Sequence, residues 1–197
     1  GNEPGAAALE MTIAGATRAI RRTGLVALAG ADLGGVVHET GQRLQPGAVH
    51  LLRAGMTIAF PGIASDLPGC RAYLALPGGI DVREVLGSRS TSLIGSFGGI
   101  GGRPLAPGDR LRPTRTADAG LAGRHWPGPT GPPMPPEPAM SPVVIRVVDG
   151  PDLARLRGGA VDALAGAEWR ASVRSDRMGI HLEGPALPVS TGELVSR

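Results

Sequence analysis

The sequence has no lysine: all 20 of its basic residues are arginine. A P-loop ends in Gly-Lys-Ser/Thr, so that phosphate cradle is excluded. The net charge is only +3, and the arginines are scattered, with Arg18, Arg21 and Arg22 the closest group. A nucleic-acid-binding face clusters its basic residues. This pattern therefore points to an arginine-for-lysine habit of composition, and no nucleic-acid partner is expected. Cysteine is nearly absent as well. Cys70 stands alone, so no internal disulfide forms, and no metal-ligand spacing surrounds it. That fits a reducing, cytoplasmic setting. No apolar run approaches the ~18 residues that span a bilayer, and no signal peptide is visible, so no membrane association is expected. Aromatic residues make up 3% of the chain, which leaves Val, Leu, Ile and Ala to build the core.

What is abundant is glycine, at 32 residues, and proline, at 19, in a chain of 197 that is 42% hydrophobic. No repeat period is visible. This describes a globular chain with many turns, large enough to bury a core without staples. Short strands are expected through the first block. Ala8–Ile13 alternates Leu9, Met11 and Ile13 against Glu10 and Thr12, the period of a half-buried strand. Leu25–Leu28, Val49–Leu52, Met56–Phe60 and Arg71–Leu76 follow at short spacing, as in sandwiches and small barrels. Leu44-Gln45-Pro46-Gly47 and Leu105-Ala106-Pro107-Gly108-Asp109 are Pro-Gly turns.

Between Trp126 and Pro142 lie eight of the prolines. Proline removes a backbone donor and fixes φ, so this run cannot enter a sheet interior and reads as an extended linker. The expected organisation is a first β unit over 1–123, a linker over 124–142 and a partial second β unit over 143–197. In the second unit, Val143–Val148, Trp169–Val173 and Ile180–Leu182 are strand candidates. Asp152 is placed to cap a helical turn through Arg157, and Ala160–Ala165 is a second short helical candidate.

Two stretches hold the candidate chemistry. The first runs from Gly78-Gly79-Ile80-Asp81 through Gly87-Ser88-Arg89-Ser90-Thr91 to Gly101-Gly102-Arg103. Glycine allows close backbone approach, and successive N–H groups in such loops form anion-binding nests. The Arg89 fork suits a carboxylate. The substrate-binding candidates are Gly78, Gly79, Ser88, Arg89 and Ser90. The alternative is a set of tight turns with Arg89 paired to Asp81. The second stretch is Ser175-Asp176-Arg177-Met178-Gly179, followed by His181 and Glu183. It offers acid–base groups, and adds Ser175 to the binding candidates. Arg89, Asp176 and Arg177 are the catalytic candidates. The alternative is a turn stabilised by Asp176 and Arg177, with His181 and Glu183 on the solvent face of a strand. A Ser–His–acid triad is recognised by geometry, which spacing does not supply. His38, His50 and His125 lie far apart without metal-type spacing, so no metal site is expected.

Taken in order, these stretches resemble one family. Gly5-Ala6-Ala7-Ala8-Leu9-Glu10 resembles its first strand, and Leu28-Ala29-Gly30-Ala31-Asp32 its following turn. Arg71-Ala72-Tyr73-Leu74-Ala75 runs into Gly78-Gly79-Ile80-Asp81-Val82 and Leu86-Gly87-Ser88-Arg89-Ser90-Thr91, then Phe97-Gly98-Gly99 and Gly102-Arg103-Pro104-Leu105. Ser175-Asp176-Arg177-Met178-Gly179 with Leu182-Glu183-Gly184 resembles its second signature. The family is the carboxyltransferase A/B-subdomain group, which includes the C component of 5-oxoprolinase, KipA-type proteins and the allophanate hydrolase subunit 2 region of urea amidolyase. The resemblance implies an all-β fold: a cyclophilin-like β-barrel subdomain and a second, truncated β subdomain. The family also has a glycine-rich segment before these motifs and further strands after them, so the chain reads as a fragment lacking both ends. Arg83 stands where the family usually has proline.

The resemblance implies three functions. The favoured one is a subunit of an ATP-dependent 5-oxoprolinase that opens 5-oxo-L-proline to L-glutamate, active only with partner subunits. Those partners are a KipI-like protein, the B component, and a LamB/YcsF-like protein, the A component. ATP is bound jointly with them, and the substrate is small and anionic. The second is biotin-dependent carboxyl transfer to urea or a similar amide. The third is a non-enzymatic KipA-type protein that binds a KipI-like partner.

Overall fold

The computed structural model describes residues 1–64, 69–116, 118–126, 146–150, 153–175 and 179–188. Its contacts divide the chain into two units, Gly1–Ser141 and Pro142–Arg197.

The first unit is built from seven strands: β1 (Leu9–Thr12), β2 (Gly15–Ala19), β3 (Gly24–Gly30), β4 (Val36–Val37), β5 (Val49–Leu52), β6 (Thr57–Phe60) and β7 (Arg71–Ala75). They form a four-stranded sheet in the order β1-β7-β3-β5 and a three-stranded sheet in the order β2-β6-β4. Every pairing is antiparallel. Alternation decides which side chains go inward. On β5 these are His50 and Leu52, on β6 Ile58 and Phe60, and on β7 Ala72 and Leu74. β3 lies between β7 and β5, and buries Leu25, Val26 and Leu28. Apart from His50 and Leu25, these residues join Met11, Leu33, Val37 and Leu44 in one apolar core.

The strands expected in this unit form where the sequence places them, as β1, β3, β5, β6 and β7, with ends shifted by a residue or two. β2 and β4 were not expected. β2 is Gly-Ala-Thr-Arg-Ala, with no apolar alternation, and is held by pairing with β6. β4 is two residues long and exists through Ala59 and Ile58. Ile13 departs from its expected inward position. Its φ is 66° and it is exposed, because the chain turns there, with Ala14 N–H donating to Thr12 O.

In the second unit, a one-turn 3-10 helix covers Leu153–Arg155, α1 covers Ala160–Gly166, and β8 (Arg170–Ala171) pairs antiparallel with β9 (Leu182–Glu183). Asp162 in the first turn of α1 complements the positive end of the helix. The strand expected over Val143–Val148 is corrected in part. Arg146, Val147 and Val148 form no strand, and both valines are exposed. Residues 143–145 and the capping residue Asp152 lie outside the described residues, as does most of the proline-rich run. Among the described residues, no helix is long and apolar enough to cross a membrane. Among the described residues the regular structure is strand apart from the short helices, an all-β fold.

Candidate functional site

The glycine-rich segment is anchored at both ends. Gly79 has φ 92° and is buried, and a Cβ there would come within 2.9 Å of Ala6. Ile80 N–H donates to Ala7 O at 2.8 Å and Thr114 N–H to Gly79 O at 3.0 Å. Gly78 N–H donates to Asn2 Oδ1 at 2.7 Å, and a side chain at Gly78 would overlap Thr114. Gly78 and Gly79 thus thread between the N-terminal segment and residues 112–115.

Val85 and Ser88 exchange both backbone hydrogen bonds, at 2.8 and 3.0 Å. The two residues between them, Leu86 and Gly87, have φ of 51° and 75°, as a tight type I′-like turn requires. Ser88 Oγ accepts Ser90 N–H at 3.1 Å. The turn leads directly into Arg89. Its Nη2 lies 3.0 Å from Glu84 Oε2, and its Nη1 donates to Gly5 O at 3.1 Å. The pairing of Arg89 with Asp81 is therefore corrected: Glu84, across the turn, is the carboxylate within reach. Ser88, Arg89 and Ser90 are brought together in one exposed loop, and Arg89 ties that loop to the N-terminal segment.

Beyond it, Ser92 and Phe97 exchange backbone bonds at 2.9 and 3.2 Å. Gly98, Gly99, Gly101 and Gly102 all have positive φ, and side chains at Gly98 and Gly102 would overlap the Ser90 and Ser96 backbones. A hollow of about 350 Å³ lies beside them, with Arg83 and Phe97 in its wall. The segment closes on Arg103, whose guanidinium makes a two-point pair with Asp109 at 2.7 and 2.9 Å. That guanidinium, helped by Ala106 N–H, holds the Asp109 carboxyl far below the usual range.

In the second unit, Ser175 Oγ accepts His181 N–H at 3.0 Å. Ser172 is buried, and its Oγ donates to Glu183 Oε1 at 2.6 Å. Ser175 meets the main chain of His181, so no triad forms around it among the described residues. Asp176 and Arg177 lie outside the described residues.

A second concavity escaped the reading of the sequence. His50 and His125, far apart in the chain, line one cleft beside Arg43. The available signal was the inward position of His50, two residues before Leu52 on β5. Among the described residues, no three His, Cys, Asp or Glu side chains group as metal ligands.

A family model for the carboxyltransferase domain, subdomain A and B, matches residues 1–197. The chain belongs to this carboxyltransferase-domain family. Within the family, it is 32% identical over 207 residues to the C component of 5-oxoprolinase from Escherichia coli, covering 100% of this chain and 59% of that protein. It is 38% identical over 126 residues to urea amidolyase of Lachancea kluyveri, covering 59% of this chain and 7% of that protein. The solved structure of K. lactis urea amidolyase aligns with a TM-score of 0.66 and 25% identity, over 97% of this chain and 12% of that one. This carboxyltransferase-domain chain is thus related to components of two amide-processing enzymes and spans part of the length of each.

Proposed function

We propose that this chain is a subunit of an ATP-dependent 5-oxoprolinase that opens 5-oxo-L-proline to L-glutamate. The observation that carries the reading is the extent of the match: the 5-oxoprolinase C component aligns with all of this chain over 59% of its own length. The urea amidolyase matches cover 59% and 97% of this chain, but only 7% and 12% of those proteins.

A lactam is resonance-stabilised, so opening it requires an activated carbonyl and donors for the developing oxyanion. The substrate also carries a carboxylate that must be held. Arg89 is proposed to hold it, with Ser88 and Ser90 beside it; the N–H groups of Gly78 and Gly79 donate to Asn2 Oδ1 and Leu76 O and so shape the loop, and Ser175 stays a binding candidate of the second unit by itself. Arg89 has five N–H donors. Glu84 and Gly5 O engage its two Nη atoms and fix the plane of the guanidinium. Glu84 competes with the substrate for the same cation. Asp176 and Arg177 remain acid–base candidates.

The chain lacks lysine and any P-loop, so ATP is proposed to be bound jointly with the partner subunits, of the KipI and LamB/YcsF types, in a cytoplasmic complex. Biotin-dependent carboxyl transfer to urea is the second reading. It is favoured by the 38% identity to a urea amidolyase segment, and it requires a biotin carrier on another part of the enzyme.

The test is ATP-dependent glutamate release from 5-oxoproline by the reassembled subunits. Leaving out this chain is expected to abolish it. Arg89→Ala is expected to raise KM about tenfold or more, about 1.4 kcal/mol of substrate binding. Glu84→Gln is expected to lower KM. An Arg89→Ala enzyme with unchanged rate and affinity would remove Arg89 from the site.

A further inference from the structure

The hollow beside the glycine turn has one charged side chain in its wall, Arg83, and no Asp or Glu lines it. Arg83 is exposed. Among the described residues, neither an ion pair nor a hydrogen bond engages its guanidinium. The nearest acids in sequence are Asp81 and Glu84, and Glu84 is taken by Arg89. The arginines further along this segment, Arg89 and Arg103, are both paired with carboxylates. Arg83 therefore has its five N–H donors to offer a ligand.

Main-chain donors line the same hollow. Gly98, Gly99 and Gly101 are in its wall, with φ of 76°, 50° and 69°. Among the described residues, nothing accepts a hydrogen bond from their N–H groups. Gly102 N–H donates to Gly98 O at 2.9 Å and closes the turn. A side chain at Gly99 would overlap Thr91 Oγ1, so glycine is required to hold this path. Ser96, also in the wall, has φ of 54° despite its Cβ. Its hydroxyl has no partner among the described residues. A non-glycine residue adopts that conformation at a cost, and such residues concentrate at ligand clamps. The turn thus holds several unsatisfied donors in a fixed arrangement, as anion-binding concavities do.

A cation and unsatisfied donors, with no acid in the wall, select an anion. Three main-chain N–H groups, a hydroxyl and a guanidinium fork outnumber the two oxygens of a carboxylate. They suit the three terminal oxygens of a phosphoryl group. We propose that this hollow binds the phosphoryl group of a small organic phosphate. About 350 Å³ is more room than the ion alone fills, and lies within the ~300–1,000 Å³ range of small-molecule sites. The rest of the wall is apolar: Val85, and Phe97, which is 41% exposed. The phosphoryl oxygens meet Arg83 and the N–H groups of Gly98, Gly99 and Gly101, and the organic part lies on the Phe97 ring. The site uses none of the residues assigned to 5-oxoproline, and it stands or falls independently of the proposed activity.

The experiment follows the amide signals of Gly98, Gly99 and Gly101 in the full ¹⁵N-labelled chain. Inorganic phosphate, phenyl phosphate and acetate are titrated in at matched ionic strength. Saturable shifts of these amides are expected with phosphate, and at about threefold lower concentration with phenyl phosphate, whose ring covers Phe97. Acetate is expected to bind at least about tenfold more weakly than phosphate. Arg83→Gln, a change at an exposed position, is expected to weaken phosphate binding about tenfold or more. Arg53→Gln, in the exposed turn between β5 and β6, removes the same charge elsewhere and is expected to leave binding unchanged. Silent glycine amides, acetate that binds as tightly as phosphate, or equal losses in Arg83→Gln and Arg53→Gln overturn the assignment. Phenyl phosphate that binds no more tightly than phosphate overturns the organic part of the ligand and leaves the free ion.

Discussion

Strand pairing occurs in both units, but burial is unequal. In Gly1–Ser141 two sheets share a core in which Val37, Leu52 and Ile58 are almost wholly enclosed. In Pro142–Arg197, Ala160 and Ser172 are the buried residues among those described, while Val161, Leu164, Val173, Ile180 and Leu182 are exposed. There the described contacts include hydrogen bonds from Ser172 to Glu183 and from Trp169 Nε1 to Leu164 O at 2.9 Å, with the Trp169 ring over Gly184. Apolar burial is the dominant favourable contribution to folding, whereas a single hydrogen bond contributes about 1 kcal/mol net. The first unit is therefore the stable scaffold. Residues 141–197 expressed alone are expected to be weakly stable, because among the described residues β8 and β9 form a ladder of two strands only.

The comparison breaks most visibly in matched truncations. Leu52→Ala removes a fully enclosed side chain and is expected to destabilise the protein by about 2–5 kcal/mol. Leu182→Ala, at a half-exposed site, is expected to stay within about 0.5 kcal/mol. Urea unfolding of the two variants checks this, and equal losses would end the distinction. Next in size is Ser172→Ala. It removes the 2.6 Å bond to Glu183 and is expected to cost about 1–2 kcal/mol, read from hydrogen exchange in β8 and β9. The smallest effect concerns Asp109. Its carboxyl is held down by Arg103 and by Ala106 N–H. Its contribution is therefore complete above the ordinary aspartate range, and is lost as pH falls through the lowered value. Asp109→Asn is expected to flatten the acid limb of stability against pH and leave the neutral limb level. An unchanged acid limb contradicts this.

The strands of the first unit were legible where alternation is strong, as in Leu9-Glu10-Met11-Thr12 and Arg71–Ala75. β2 and β4 were not, because their pairing partners on β6, rather than their own side chains, make them strands. The loop motif around Arg89 was legible by resemblance. Its ties were not, since Gly5 lies 84 residues away and Glu84 had the same local claim as Asp81. The His50 cleft was hidden for a related reason. It requires Ala48 to pair with His125, a contact that no local pattern announces.

The most direct test offers the assembled enzyme, containing this chain, 5-oxo-L-proline and urea in parallel with ATP and bicarbonate, with a biotin carboxylase and biotin carrier added to the urea arm. The account predicts glutamate from 5-oxoproline, no consumption of urea, and loss of the glutamate signal when this chain is withheld. Urea carboxylation without glutamate release would contradict it and assign the chain to the other branch of its family.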